Sequence, residues 1–253
     1  MKRLATALVG IPATLLVTLY TPDWLFALVT ALVAVVCLEE LLALGAFRMD
    51  TRPGRWVLLL GFLATAAFAG GMSWGLAGVT GAILIAAGVV TFSVSLEQAL
   101  PKLALATLGI AYCSLLLGFI VLLSREMRIV LLGIIWAGEA AAFYGGRSLG
   151  RHFLAPGISP KKTVEGAFAG LTTSVVAAVV LGALLSDAPS GRLLAGGLAA
   201  GVAGQVGDLV ESALKRSAGV KDSSSLLPGH GGMLDRLDGV LFAAPVFYWF
   251  LGV

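Results

Sequence analysis

Residues 192–215 read RLLAGGLAAGVAGQVGDLVESALK. After Arg192 the stretch is a mostly apolar run without ionisable side chains as far as Asp208. The whole stretch is long enough for a helix to cross the bilayer core, which takes roughly 20 mostly apolar residues. It is rich in small residues: Gly196, Gly197, Ala200, Gly201 and Gly204. Gly197 and Gly201 form a small-xxx-small pair that lets helix backbones approach closely, and ordinary helix packing accounts for it. The end of the run is different. Asp208, Glu211, Ser212 and Lys215 follow one another at i, i+3, i+4 and i+7, so they share one face of a helix. Leu209, Val210, Ala213 and Leu214 occupy much of the remaining circumference. A helix end at a membrane interface, with basic side chains snorkelling to water, accounts for Lys215 and Arg216. It does not account for Asp208, about two turns further in. Ionisable residues inside a span are costly and usually face protein or a watery interior.

The rest of the chain agrees with a membrane reading. Of its 253 residues 58% are hydrophobic and only 12% charged, against about 25% charged in an ordinary soluble domain. A surface with so few charges would present large apolar patches to water. Nine apolar runs are predicted to be membrane helices: 4–20, 24–46, 56–72, 74–95, 103–124, 128–146, 164–186, 192–215 and 234–252. The expected fold is an all-α polytopic bundle forming a single membrane domain over 1–253, with the catalytic part mainly in 139–253. Lys2 and Arg3 before an apolar run could signal secretion, but no small-x-small cleavage site follows before Tyr20-Thr21-Pro22, so the run is kept as a span. Cys37 and Cys113 lie in apolar runs without a CxxC or Cys/His neighbour and read as packing residues. The net charge of +3 is too small an excess to argue for nucleic acid. Its placement says more. With the N-terminus cytoplasmic, only Arg125, Arg128 and Arg192 fall on the far side, and Arg236 opens the last span. All other Lys and Arg fall on the cytoplasmic side, as the positive-inside rule requires. The two longest polar loops, 147–163 and 216–233, then face the cytoplasm too.

The last span opens Met233-Leu234-Asp235-Arg236-Leu237-Asp238, with Asp235 and Asp238 one turn apart. The loop before it holds Lys221-Asp222 and Pro228-Gly229-His230-Gly231-Gly232. Glycines permit backbone conformations that other residues resist, and exposed N–H groups in such turns can cradle anions. Carboxylates, cations and an anion-binding loop together point to a phosphate-metal site. Hard oxygen ligands favour Mg²⁺, which commonly binds one or two carboxylates together with substrate phosphates. Internal salt bridges, such as Asp238 with Arg236 or Lys215, are the competing account of the same acids.

The stretch Ser212-Ala213-Leu214-Lys215-Arg216, Lys221-Asp222 and Pro228 through Asp238 resembles the signature of the phosphatidate cytidylyltransferases, or CDP-diacylglycerol synthases. Upstream, Gly150, Leu154-Ala155-Pro156, Ile158-Ser159-Pro160, Lys162-Thr163 and Glu165-Gly166 resemble the family's ISPxKTxEG loop. The resemblance covers the C-terminal half through motifs and the N-terminal half through hydropathy. There are departures. Glu139 stands where the family usually has aspartate, Ala142-Phe143 where it has Ala-Tyr, and Lys161 where the loop usually has glycine.

The resemblance implies a magnesium-dependent nucleotidyltransferase of phospholipid biosynthesis, multi-pass in the cell (inner) membrane. Its substrates would be CTP and phosphatidic acid, its products CDP-diacylglycerol and pyrophosphate. Asp208 and Asp235 would be the Mg²⁺ carboxylates, with Asp238 and Glu211 close behind. Lys215, Arg216, Lys221 and Arg236 would hold the CTP and lipid phosphates. Ser159, Lys162 and Thr163 would complete the pocket from the other loop, and Ser212 and Asp222 would line it. Backbone amides at Gly231 and Gly232 would contact phosphate, and His230 would orient a phosphate or serve the loop alone. His152 reads as structural or interfacial. A second cation and a homodimer are compatible with this reading. The alternatives are an ether-lipid phosphate as acceptor, a CTP-dependent polyprenol kinase, which would release CDP, and a transporter. A transporter predicts repeated halves with matched broken helices, and the charged sites here concentrate in residues 139–238.

Overall fold

The computed structural model describes residues 2–49, 52–229 and 231–251. Its elements, in chain order, are α1 (Lys2–Tyr20), α2 (Asp23–Met49), α3 (Trp56–Ala66), α4 (Met72–Ser93), α5 (Leu96–Gly109), α6 (Leu116–Leu122), α7 (Arg125–Leu149), β1 (Phe153–Ala155), β2 (Ser159–Thr163), α8 (Val164–Leu185), α9 (Ser190–Ser217) and α10 (Leu234–Leu251). A 3₁₀ turn, Ala67–Gly70, extends α3, and a π-turn, Ile110–Leu115, joins α5 to α6.

Each of the nine predicted apolar runs is mostly helical in its described residues, the exceptions being Gly71, Val94, Ser95, Leu123, Ser124 and Ser186 at run ends; residue 252 of the last lies outside them. Among the described residues, six helices are long and apolar enough to cross a membrane, so the chain is a multi-pass membrane protein. They are Asp23–Phe47, Met72–Ser93, Leu96–Leu122, Arg125–Leu149, Val164–Leu185 and Ser190–Ser217. Leu8–Tyr20 and Trp56–Gly70 are apolar but shorter. The break between the third and fourth runs is a single residue, Gly71, whose φ of 99° lies where side-chain-bearing residues are strained. One feature departs from a purely helical fold: in the loop after α7, β1 and β2 pair as an antiparallel hairpin, Phe153 opposite Thr163 and Ala155 opposite Ser159.

The chain forms two compact units, residues 1–122 with 217–236, and 123–216 with 237–253. In the first, α2 is the central helix. Its buried stripe Ala27, Ala31, Ala34, Leu38 and Leu42 recurs at three- and four-residue steps. Leu38 is seated between Gly61 and Gly109, and Phe68 between Gly75 and Gly118. Cys37 and Cys113 are buried and not joined in a disulfide, as their apolar context predicts.

In the second unit α7 and α8 pack along their lengths. The buried face of α8 is a file of small residues four apart: Gly166, Gly170, Ser174, Ala178 and Gly182. A Cβ on Gly170 would meet the Gly138 carbonyl oxygen at 2.8 Å and the Ala142 Cβ at 2.9 Å. The small-residue pair of α9 uses the same file, Gly197 against Ala178 and Gly201 against Ser174. Lipid tails are as apolar as leucine, so this association rests on close van der Waals contact. Gly170→Val is therefore expected to cost about 1–3 kcal/mol through overpacking. Thermal unfolding of the purified variant in detergent measures it, and an unchanged midpoint would contradict the contact.

Candidate active site

The second unit brings the upstream motif to the polar end of α9. Thr163 ends β2 and caps α8, its Oγ1 accepting from the Gly166 N–H at 3.2 Å. This is the ordinary role of threonine at a helix start. Glu165, in the first turn of α8, reaches back across the hairpin. Its carboxylate accepts from the Arg151 N–H at 3.0 Å and the His152 N–H at 3.3 Å, and meets the His152 ring Nδ1 at 2.6 Å. The hairpin is thereby fixed to the helix it feeds, and His152 takes the structural role expected of it. With the hairpin fixed, neighbouring lysines diverge: Lys161 is exposed, and Lys162 turns toward α9. Its Nζ lies 2.5 Å from Asp208 Oδ2. Ser212 Oγ makes a long contact, 3.5 Å, with the other oxygen of Asp208.

The shared polar face of α9 is thus divided by depth. Asp208 and Ser212 are half-buried, and Arg216 is exposed. Glu211 is wholly buried and forms an ion pair with buried Lys215 one turn along. Gly207 lies against α10 within the same unit, where a Cβ would strike the Asp238 carbonyl oxygen. Asp238 is itself buried, with its Oδ1 accepting from the Gly239 N–H at 2.8 Å. Its carboxyl lies within electrostatic reach of Asp208, Glu139 and Glu211. Four acids from α7, α9 and α10 therefore sit in one neighbourhood with Lys162 and Lys215. Glu139 belongs to this group, its Oε1 lying 3.2 Å from where a Cβ on Gly239 would stand. Ser159 pairs with Ala155 at the hairpin turn.

The first unit holds the glycine-rich loop and the first turn of α10. Asp235 Oδ2 accepts from the Ser223 N–H at 2.8 Å, the Ser223 hydroxyl at 2.9 Å and the Gly232 N–H at 2.7 Å. Gly231, at φ 79°, folds the loop over this carboxylate, and a Cβ there would sit 2.6 Å from Oδ2. Lys221, Asp222 and Arg236 are exposed. His230 lies outside the described residues.

The sequence reading passed over one residue here. Glu40, buried on α2, accepts hydrogen bonds from the hydroxyls of Ser223 (2.8 Å) and Ser224 (2.7 Å) and the backbone N–H groups of Met233 (3.0 Å) and Leu234 (2.8 Å). The signal was present: Glu39-Glu40 interrupts an otherwise apolar run, and an ionisable pair at such depth marks a site. Its neighbour Glu39 forms an ion pair with Arg52.

Known proteins share much of this chain. It is 45% identical over 121 residues to the uncharacterized protein YnbB of Escherichia coli strain K12, covering 48% of this chain and 41% of that one. It is 46% identical over 121 residues to the phosphatidate cytidylyltransferase of Bacillus subtilis, covering 47% and 45%. It is 47% identical over 129 residues to the phosphatidate cytidylyltransferase of Synechocystis, covering 49% and 43%. The chain spans less than half the length of these curated relatives in each match. The model of the Cytidylyltransferase family matches residues 1–253, and the chain belongs to that family.

Proposed function

We propose that the chain is a magnesium-dependent phosphatidate cytidylyltransferase, transferring the cytidylyl group of CTP to phosphatidic acid. The observation that carries this reading is the Lys162–Asp208 pair. It joins the ISPKKTVEG stretch to the polar turn of α9, two motifs distant in sequence. Two of the similar relatives bear the name of this activity.

The reaction makes one bond and breaks one. An oxygen of the lipid phosphate attacks the α-phosphorus of CTP, and the bond to the β-phosphate breaks to release pyrophosphate. An ionised phosphate is already a nucleophile and needs little help from a base. The barrier comes from bringing two anions together in line, so the protein's work is neutralisation and alignment. Lys162 and Lys215 supply positive charge beside the acids of the second unit, and exposed Arg216 adds to it; in the first unit Lys221 and Arg236 are exposed cations for phosphate. The Gly231 amide is the proposed donor to phosphate oxygens, while that of Gly232 is held by Asp235.

The donor set suits magnesium. Among the described residues no three of the His, Cys, Asp and Glu side chains are grouped to hold a metal ion by themselves. Magnesium commonly takes one or two carboxylates and completes its octahedron with water and substrate phosphates, and carboxylates crowd here beside lysines. Asp208 of the second unit and Asp235 of the first are each proposed as magnesium carboxylates, and magnesium bound to them would draw charge from the triphosphate. The positive-inside distribution of Lys and Arg supports a cytoplasmic N-terminus and site, where CTP is found. Nine crossings, the six long apolar helices among them, would give that arrangement.

The test is lipid labelling by purified protein in phosphatidic acid vesicles. With α-labelled CTP, label enters the lipid and magnesium-dependent pyrophosphate release accompanies it. With γ-labelled CTP the label leaves in pyrophosphate; label in the lipid would identify a kinase instead. No pyrophosphate release on adding phosphatidic acid overturns the proposal.

A further inference from the structure

We propose that Glu40 is a positioning residue that sets the geometry of the 221–236 segment for the reaction, acting on Asp235 through Ser223. This rests on the function proposed above.

The start of α10 has a difficulty of its own. The residue before it, Met233, occupies the cap position and carries no side-chain acceptor. Helices leave their first backbone N–H groups without partners, and an Asp, Asn, Ser or Thr at this place normally supplies one. Here a residue from another helix does so. Glu40 accepts from the Met233 N–H on Oε1 and from the Leu234 N–H on Oε2. A carboxylate at this end of a helix also meets the positive pole of its dipole.

Each Glu40 oxygen receives one further donor, the Ser224 hydroxyl on Oε1 and the Ser223 hydroxyl on Oε2. The Ser223 hydroxyl stands 2.8 Å from Glu40 and 2.9 Å from Asp235 Oδ2. It has one proton, so it serves one carboxylate at a time and couples the two. The Ser223 N–H holds Asp235 independently at 2.8 Å. Gly232 leaves no room for anything else: a Cβ there would run into the Ser223 hydroxyl and Glu40 Oε2. Glu40, Ser223 and Asp235 thus form a chain from α2 to the first turn of α10, all within the first unit. A glutamine cannot replace Glu40, because its NH₂ would face a backbone N–H whichever way the amide is turned. The serine hydroxyls can rotate to accept; the backbone cannot.

The test compares the full-length protein with Glu40→Gln and Glu40→Asp in the same vesicles. For Glu40→Gln we expect KM for CTP to rise about 10-fold and kcat/KM to fall about 100-fold, the scale of a misplacement near 1 Å. Glu40→Asp recovers part of both. Protein that is merely less well folded loses active fraction and leaves KM alone. Backbone hydrogen exchange gives a readout independent of turnover, and exchange over 223–234 should quicken about 10-fold in Glu40→Gln. Should Glu40→Gln fail to fold, Ser223→Ala decides. It keeps both backbone bonds to Glu40, cuts the link to Asp235 and should still raise KM for CTP. Wild-type turnover with an unmoved KM and unchanged exchange in the variants overturns the inference. A wild type without turnover removes the enzyme reading instead. Exchange alone then judges the clamp: quicker exchange in Glu40→Gln supports it, and equal exchange refutes it.

Discussion

Asp208→Asn should lower turnover by on the order of 10³-fold, the effect of losing one well-placed electrostatic group at a reacting phosphate, while leaving the unfolding midpoint almost unchanged. The two halves of this expectation have separate grounds. Asp208 is half-buried and its pair with Lys162 is similarly open to water, at 35% and 27% side-chain exposure. Pairs this accessible contribute little to stability, so the fold does not need the charge. The site does: asparagine keeps the shape but cannot pull Lys162 into place or hold a cation. Lys162→Met should cost about 10²-fold by removing one phosphate partner. The charge exchange Lys162→Asp with Asp208→Lys separates catalysis from architecture. It restores an ion pair between hairpin and helix, yet it places acid where phosphate needs a cation. The doubly exchanged protein should fold and remain inactive. Recovery toward wild-type turnover would reduce Lys162–Asp208 to a structural salt bridge.

What could be read in the sequence was what repeats along it. The apolar runs announce themselves because a bilayer demands a similar length of each; all are largely helical, and six of the described helices are long and apolar enough to span. The polar face of α9 followed from 3.6-residue spacing alone, and the Gly197–Gly201 pair proved to be a packing surface against α8. Spacing does not report depth. It grouped Glu211 with Asp208, while the fold buries Glu211 against Lys215 and leaves Asp208 half-buried beside Lys162. The hairpin of residues 153–163 was also beyond pattern, being too short and too polar for a period-2 signal. Its strands pair with each other, and the clasp of Glu165 on Arg151 and His152 ties the hairpin to α8. Glu40 was hidden for a different reason. Its partners lie 183 to 194 positions away, and no local rule pairs a carboxylate in a second helix with the start of a tenth. Because Met233 is a poor cap, the sequence does show that α10 lacks one; it does not show where the substitute comes from.

Asp235→Asn and Asp235→Ala should both lower turnover by on the order of 10³-fold or more, but only the alanine variant should loosen the loop. The geometry separates charge from shape at this position. Among the described residues, three bonds that tie the loop to Asp235 end on one oxygen, Oδ2. The carbonyl oxygen of asparagine can stand in that place, keep the Ser223 and Gly232 donors satisfied and turn its NH₂ to the side of Oδ1. Such a protein holds its loop and lacks the negative charge. Alanine leaves the Ser223 and Gly232 N–H groups without their acceptor, at about 1–3 kcal/mol for each one that water cannot reach. Exchange of the 223–234 amides should therefore match wild type in Asp235→Asn and quicken in Asp235→Ala. Near wild-type turnover in the asparagine variant would show that Asp235 serves the loop alone and holds no cation. Slow turnover with quickened exchange in both would show that the charge is needed for the fold of the loop, and the metal role would lose its support.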